Sequence, residues 1–267
     1  MIGLPRLSIV IVSFNARAEI EACLQSLVAH KPAIDHEILV VDNASSDDTV
    51  DVVRDRWPGV RLFEAGENVG FSRANNIGIR HSFGELVLLL NGDTIVPRGA
   101  LDALVTVLDR RRDVAIVGPR LVDEHGRAEL SFGRMISPLN ELRQKLRARA
   151  NVERLTSRER EVDWVSGACL LVRRADADAV GLLDERFFMY TEDVDFCAAI
   201  RARGRRVLFT PAAQIVHLRG RSRQTAPDAT EAAYRRSQVA FYEKHHPRWA
   251  PVLRAYLRLR GRTTDRR

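Results

Sequence analysis

The chain reads as an α/β protein with a mainly parallel, Rossmann-like sheet flanked by helices, and three observations predict this. Along its first half, short β-rich runs alternate with stretches whose apolar residues recur at helical spacing. Leu86-Val87-Leu88-Leu89-Leu90 is an unbroken aliphatic run bounded by Gly84 and Gly92, the pattern of a strand buried on both faces at the centre of a parallel sheet. The spacing of strand, helix and strand suits right-handed crossovers.

The elements follow in order. Leu7 to Phe14 is a β-rich run, Ala18 to Ala29 a helix, and Glu37 to Asp42 again a buried strand. Ser46, followed by Asp47 and Asp48, marks a helix start leading to Arg56; Pro58-Gly59 closes it, and Val60 to Ala65 forms a third strand. Phe71 to His81 is a helix, and Leu86 to Leu90 the central strand. After Pro97 a helix runs to about Arg111, followed by the strand Val114 to Val117. From Ser131 to Arg160 the composition turns polar and arginine-rich, which predicts a mobile or partly helical excursion. Order resumes over Val162 to Arg174, then a helix from Thr191 to Arg203, a strand at Arg206 to Phe209, and helices beyond Thr230. No internal repeat interrupts the series.

Bulk properties narrow the class. A chain of 267 residues, 45% hydrophobic and 29% charged, has the make-up of a soluble globular protein of one large or two small domains. Cys23, Cys169 and Cys197 are scattered, with no metal-binding spacing, and predict buried thiols in a reducing cytosol. No segment approaches the roughly 20 apolar residues of a membrane span, and the start lacks the regions of a signal peptide. The expected location is therefore cytoplasmic. The net charge of +7 is concentrated: seven arginines from Arg248 onward face only Asp265. Trp249, Val252, Leu253, Tyr256 and Leu257 recur at helical spacing among them. That pattern suits either peripheral contact with an anionic membrane surface or a terminal helix packed on the body with solvated arginines.

Candidate chemistry sits at the strand ends. The first strand ends in Ser13-Phe14-Asn15, the second in Asp42-Asn43-Ala44-Ser45-Ser46-Asp47, and the central one in Asn91-Gly92-Asp93. Adjacent parallel strands bring such tips to one rim, where ligands bind in open α/β sheets. Asp93 is well sited to hold a hard divalent cation against a phosphate, although Asn-Gly-Asp also suits a plain turn. Asp42 can accept a hydrogen bond from a pyrimidine ring N–H or cap the loop that follows. Asn68-Val69-Gly70-Phe71 turns into a helix that carries Arg73, Asn75 and Asn76 near its start. Arg73 there suits either a phosphate contact or plain exposure. Neither a P-loop nor a GxGxxG follows the first strand, which argues against NTPases and dehydrogenases. Thr191-Glu192-Asp193-Val194-Asp195 opens a helix with more acid than capping by Thr191 requires, so Asp193 is a candidate general base. His217 is either structural or a ligand of the ion or phosphate, with Arg219, Arg221 and Ser222 as further donors. Trp164, beside Ser166-Gly167, suits an acceptor-sugar stack or the core.

Together, Val12-Ser13-Phe14-Asn15, Val41 to Asp47, Asn68-Val69-Gly70-Phe71 with Asn75-Asn76-Ile77-Gly78, Leu90-Asn91-Gly92-Asp93, Phe188 to Asp195, and His217 with Gly220 and Ser222 resemble the family 2 glycosyltransferases of GT-A fold, particularly their rhamnosyltransferase-like branch. The resemblance covers Leu7 to Ser222 in order. It implies a nucleotide-sugar donor, with Ser13, Asn15, Asp42, Asn43, Arg73, Asn75, Asn91 and Gly92 around the nucleotide. It implies Mg²⁺ or Mn²⁺ at Asp93 with His217, and inversion at the anomeric carbon with Asp193 as base beside Glu192. Trp164 and Gly167 fall on the acceptor side. Asn91 departs from the first Asp of a strict DxD, and Arg73 stands where this branch commonly has small residues.

The implied reaction moves a sugar, with L-rhamnose from dTDP-rhamnose the expected donor and UDP- and GDP-sugars the others, to a cell-surface glycan or lipid-linked precursor. The implied domains are 1–225, with a nucleotide half at 1–120 and an acceptor and catalytic half at 121–225, then a basic helical extension at 226–267. A glycoside hydrolase has no use for a nucleotide rim. A sugar-phosphate nucleotidyltransferase wants a glycine-rich basic loop where Asn15-Ala16-Arg17-Ala18 stands, and a non-catalytic nucleotide-sugar-binding relative is the other alternative. Only the arginine tail suggests nucleic acid, and no nucleic-acid partner is expected.

Overall fold

Five consecutive aliphatics leave the central strand no polar face, so it must be covered above and below and paired on both edges. In the computed structural model, which describes residues 3–137, 152–218 and 227–260, that is its position. Leu86–Asn91 (β4) pairs in parallel with Leu7–Ser13 (β1), which pairs in parallel with His36–Asp42 (β2), and β2 with Arg61–Glu64 (β3). On its other edge β4 meets Cys169–Arg173 (β11), which runs antiparallel to it and to Val114–Val122 (β6). Beyond β6 lie Arg206–His217 (β12), parallel to it, and the short Thr94–Ile95 (β5), antiparallel to β12. Ala128–Glu129 (β7) pairs with β6, and Arg160–Val162 (β9) with β12. The predicted α/β class and largely parallel sheet hold, with β11 inserted antiparallel inside it and the short β5, β7 and β9 antiparallel at its margins.

Side-chain alternation splits the core in two. Leu86, Leu88 and Leu90 face Ile20, Leu24 and Leu27 of Arg17–Ala29 (α1) and Leu101, Leu104 and Leu108 of Ala100–Arg110 (α4). Val87 and Leu89 face the other way, toward Ile79 of Phe71–His81 (α3) and Phe196, Cys197 and Ile200 of Glu192–Ala202 (α7). Truncating any one of these leucines to alanine would cost about 2–5 kcal/mol, because the sheet leaves little room for collapse. All three cysteines are buried and free, as expected. The remaining helices are Thr49–Arg56 (α2), Val152–Leu155 (α5), Arg174–Ala179 (α6), Pro227–His245 (α8) and Ala250–Leu259 (α9). A third core joins Val239, Phe241 and Tyr242 of α8 and Leu253 and Leu257 of α9 to Phe187 and Val194. Among the described residues, no helix is long and apolar enough to cross a membrane.

Several boundaries differ from the sequence reading. Helix α2 starts at Thr49, not Ser46, because Ser46 is drawn away to the first loop, where its N–H and hydroxyl both donate to Asn15 Oδ1. The stretch from Ser131 to Arg160, expected to be mobile or partly helical, holds the helix α5 but also Phe132–Gly133 (β8) against Trp164–Val165 (β10) and the start of β9; residues 138–151 lie outside the described residues. Its pairing partners are distant in sequence, so local polarity concealed it. Strand β12 runs on to His217 rather than ending at Phe209, because a register shift between Thr210 and Gln214 absorbs Pro211 and breaks the alternation.

Candidate active site

Parallel register brings the strand tips together. Ser13 stands opposite Asp42, and Val12 opposite Asn91, so the ends of β1, β2 and β4 form one rim. Two non-glycine residues there, Asn15 (φ 47°) and Ala44 (φ 67°), adopt the left-handed conformation that turns the chain off the strands. Asn43 fastens the rim to the entry of α3: its amide N–H donates to Asn68 Oδ1 at 2.9 Å, and its Oδ1 accepts from Val69 N–H at 2.9 Å. Asp42 Oδ2 accepts Ser45 N–H at 2.9 Å, closing its own loop. Three buried rim oxygens, Ser13 Oγ, Asp42 Oδ1 and Asn91 Oδ1, find no partner among the described residues. Buried polar atoms are rarely left so, and three together are what a polar ligand site presents.

The acidic turn approaches from the far side. Tyr190 (φ 69°) and Thr191 (φ 65°) are consecutive left-handed residues, a strain of about 1–3 kcal/mol each that turns the backbone sharply into α7. Thr191 therefore does not cap the helix as expected, and its buried hydroxyl has no partner. Asp193 accepts N–H bonds from Gly167 at 2.9 Å and from Val194 at 2.8 Å. Glu192 is 6% exposed and its Oε2 has no partner among the described residues. Burial, reinforced by the Asp193 charge, holds Glu192 well above the usual carboxylate range. Burial also raises Asp193, but its two N–H donors favour the ionised form. The surroundings of the two carboxyls therefore differ: burial beside the Asp193 charge favours the protonated form of Glu192, while at Asp193 the N–H donors oppose the effect of burial.

One turn ties the two sides together. Gly167 N–H goes to Asp193, while the next carbonyl, Ala168, accepts Asn91 N–H at 2.9 Å. At the neighbouring corner Asp93 Oδ1 lies 3.3 Å from His217 Nε2, and Leu218 N–H donates to the Asp93 carbonyl at 2.9 Å. Among the described residues no group of three or more His, Cys, Asp or Glu side chains forms a metal cage. A carboxylate and an imidazole together are a partial donor set, of the kind a divalent cation completes with substrate phosphates and water. The residues present fit such an ion.

A sheet-tip rim with unpartnered polar oxygens, facing a strained acidic turn, is matched by known sequences. The model of the family described as "Glycosyltransferase like family 2" matches residues 5–251. The chain belongs to glycosyltransferase family 2. A Mycobacterium tuberculosis protein named N-acetylglucosaminyl-diphospho-decaprenol L-rhamnosyltransferase is 32% identical to this glycosyltransferase over 96% of the chain and 91% of that protein. The rhamnosyltransferase WbbL of Escherichia coli is 25% identical over 78% of the chain and 82% of its own. In fold, the glycosyltransferase superposes with a TM-score of 0.63 on a Pyrobaculum calidifontis mannosyltransferase solved with GDP-Man and Mn²⁺. That structure is 21% identical, with 96% of this chain and 70% of the other covered. The GT-A fold is thereby shown, and family membership does not favour a nucleotidyltransferase.

The predicted residues of the glycosyltransferase fall into three groups. Ser13, Asp42, Asn91 and the adjoining Gly92 lie on the rim, Asp93 and His217 at its corner, and Glu192, Asp193 and Gly167 across from it. Others are engaged elsewhere. Asn15 clamps two loops, and Asn75 donates to its own helix at Phe71 O. Arg73 stands exposed, 3.9 Å from Glu185. Trp164 donates its indole N–H to Arg134 O at 3.0 Å and packs its ring on Gly133, which a Cβ would bring to within 2.7 Å. Arg219, Arg221 and Ser222 lie outside the described residues. Sequence reading gave Asp195 no role: 2% exposed, it accepts Lys244 Nζ at 2.8 Å and His245 Nε2 at 2.6 Å, fastening α8 to the acidic turn. Glu129, 3.4 Å from His217 Nδ1, was also missed, since a lone acid in a polar stretch carries no signal.

Proposed function

We propose that this glycosyltransferase moves L-rhamnose from dTDP-rhamnose, with inversion, to a hydroxyl of a lipid-linked glycan precursor. The observation that carries the reading is the turn at Gly167 and Ala168, which touches Asp193 with one residue and the Asn91 tip with the next. Donor and acceptor sides thereby meet across one turn. The rhamnosyl donor and lipid-linked acceptor are supported by the name of the Mycobacterium tuberculosis relative, which covers nearly the whole chain.

In this reading Ser13, Asp42 and Asn91 supply the polar groups that meet the nucleotide, with Asp42 Oδ1 accepting a pyrimidine N–H. Asp93 and His217 would hold Mg²⁺ or Mn²⁺, which when bound supplies Lewis-acid charge beside the diphosphate. Asp193 takes the proton of the acceptor hydroxyl as its oxygen bonds to the anomeric carbon. The bond from that carbon to the phosphate oxygen breaks in the same displacement, leaving a nucleoside diphosphate. Glu192 stays protonated, so the Glu192–Asp193 pair carries a single negative charge. Remote binding of nucleotide and acceptor holds the reacting atoms in line.

Peripheral membrane contact belongs to the same reading. Leu253 and Leu257 are spent on the core, but α9 turns a second apolar stripe outward: Trp249 (51% exposed), Val252, Tyr256 and Leu259 (88%), beside the exposed Arg254 and Arg258. Apolar side chains ringed by cations suit an anionic headgroup layer on the inner face of a membrane.

A panel of nucleotide sugars scored by thermal shift with and without Mn²⁺ tests the donor; stabilisation by dTDP-rhamnose is expected, and a stronger response to another sugar would replace it. Asp193→Asn is expected to lower kcat by about 10²–10⁴ with donor binding intact. Turnover at the wild-type rate would refute the base.

A further inference from the structure

Glu129 belongs to none of the motifs above, yet three strands carry it to the corner of the site. Strand β7 sets Glu129 opposite Leu121 of β6, β6 sets Leu121 opposite Ile215 of β12, and β12 sets His217 opposite Thr94, next to Asp93. Side chains then form a row: Glu129 Oε2 is 3.4 Å from His217 Nδ1, and His217 Nε2 is 3.3 Å from Asp93 Oδ1. Exposure rises along it, from 13% and 11% for Glu129 and His217 to 31% for Asp93. The carboxylate beside Nδ1 is thus more deeply buried than the one beside Nε2.

We propose that Glu129 is a positioning residue: it accepts the Nδ1 proton of His217 and so fixes the tautomer whose Nε2 lone pair points, beside Asp93, at one divalent cation. A neutral imidazole carries a single N–H, and each ring nitrogen faces a carboxylate, Glu129 at 3.4 Å and Asp93 at 3.3 Å; a cation held at Asp93 excludes the proton from Nε2, and Glu129 accepts it at Nδ1. Nε2 is then left as a lone pair facing a carboxylate oxygen, two electron-rich atoms that a cation between them would satisfy. Outer partners of this kind orient a metal-binding histidine and raise its basicity, and losing one typically costs 10–100-fold in metal affinity. The inference rests on the cation assignment made under Proposed function.

The test uses the full chain and Mn²⁺ as the probe, alone and with dTDP. Free Mn²⁺ is followed by EPR and nitrogen coupling by pulsed EPR, for wild type, Glu129→Ala, Glu129→Gln, His217→Ala and Asp93→Ala. Glu129→Ala is expected to weaken Mn²⁺ binding about 10–100-fold and to reduce the nitrogen coupling. Glu129→Gln, whose amide oxygen can still accept from Nδ1, should recover most of that loss. Glu129→Ser repeats the measurement should the alanine variant unfold in EDTA. Wild-type Mn²⁺ affinity in Glu129→Ala or Glu129→Ser, with binding lost in Asp93→Ala and His217→Ala, overturns the role of Glu129 alone. Unchanged affinity in all variants overturns the cation site as well. If Glu129→Gln binds as poorly as Glu129→Ala, orientation is not what Glu129 supplies, and the proposal fails.

Discussion

Two adjacent carboxyls, Glu192 and Asp193, differ mainly in what reaches them. Asp193 receives two backbone N–H groups, whereas Glu192 Oε2 receives none, so the same burial leaves one acid the better base and the other a proton holder. This has a consequence for stability. Below the ordinary glutamate value of 4.5 both folded and unfolded states keep the Glu192 proton. As pH rises only the unfolded state ionises, so the contribution of Glu192 to stability declines until the folded group titrates. Glu192→Gln copies the protonated form and removes that decline. Its melting temperature is expected to gain on wild type as pH rises above about 5, with kcat within about threefold. A loss in kcat of a hundredfold or more would mean that Glu192 must carry charge in turnover. Residue types at the rim were legible in sequence, since Ser13, Asp42 and Asn91 end strands and Asp93 follows Asn91 by two residues. Which of them stay free for a ligand was not, because Asn15 and Asn43, equally polar, are consumed by loop hydrogen bonds that link distant segments.

At the scale of elements, the site depends on a close approach between α3 and the segment leading to α7. Gly70 (φ +83°) opens α3, and a Cβ there would lie 2.6 Å from Phe188 O and 2.7 Å from its ring. Phe71 N–H donates to that same carbonyl, and Ser72 Oγ to Phe187 O at 2.6 Å. Gly70→Ala is therefore expected to cost more than the roughly 1 kcal/mol of a strained φ alone, to lower the melting temperature by about 3–8 °C, and to reduce kcat by displacing the acidic turn. Gly66→Ala is the control: φ is +77° but nothing lies within 4 Å, so only the smaller strain cost is expected. Equal effects of the two would dismiss the packing argument. The Gly70 motif was visible in sequence as a turn into a helix. Its true partner, more than a hundred residues downstream, was not.

For the whole molecule, α8 and α9 join the acidic turn to the outer surface. Asp195 grips Lys244 and His245, Ser237 Oγ donates to Met189 O at 2.7 Å, and the third core packs both helices on Phe187 and Val194. The outward stripe of α9 is thereby held in a fixed relation to the acidic turn. Replacing Trp249, Val252, Tyr256 and Leu259 together by serine is expected to abolish sedimentation with anionic vesicles while leaving turnover on a water-soluble acceptor unchanged. Continued vesicle binding, or binding equal on neutral vesicles, would remove the membrane role.

Local chemistry in the chain determined the elements: unbroken aliphatics made β4, helical spacing made α1, α3 and α4, and polar triplets ended the strands where a ligand rim belongs. Those choices depend on neighbours a few residues apart, so sequence alone carries them. Contacts between distant residues decided the rest, because a pair such as Gly167 with Asp193 or Glu129 with His217 has no shared period or motif and exists only once the sheet sets its register. The rim was written in the strands, while the acidic turn opposite it, its unpartnered oxygens and the row behind His217 came from packing.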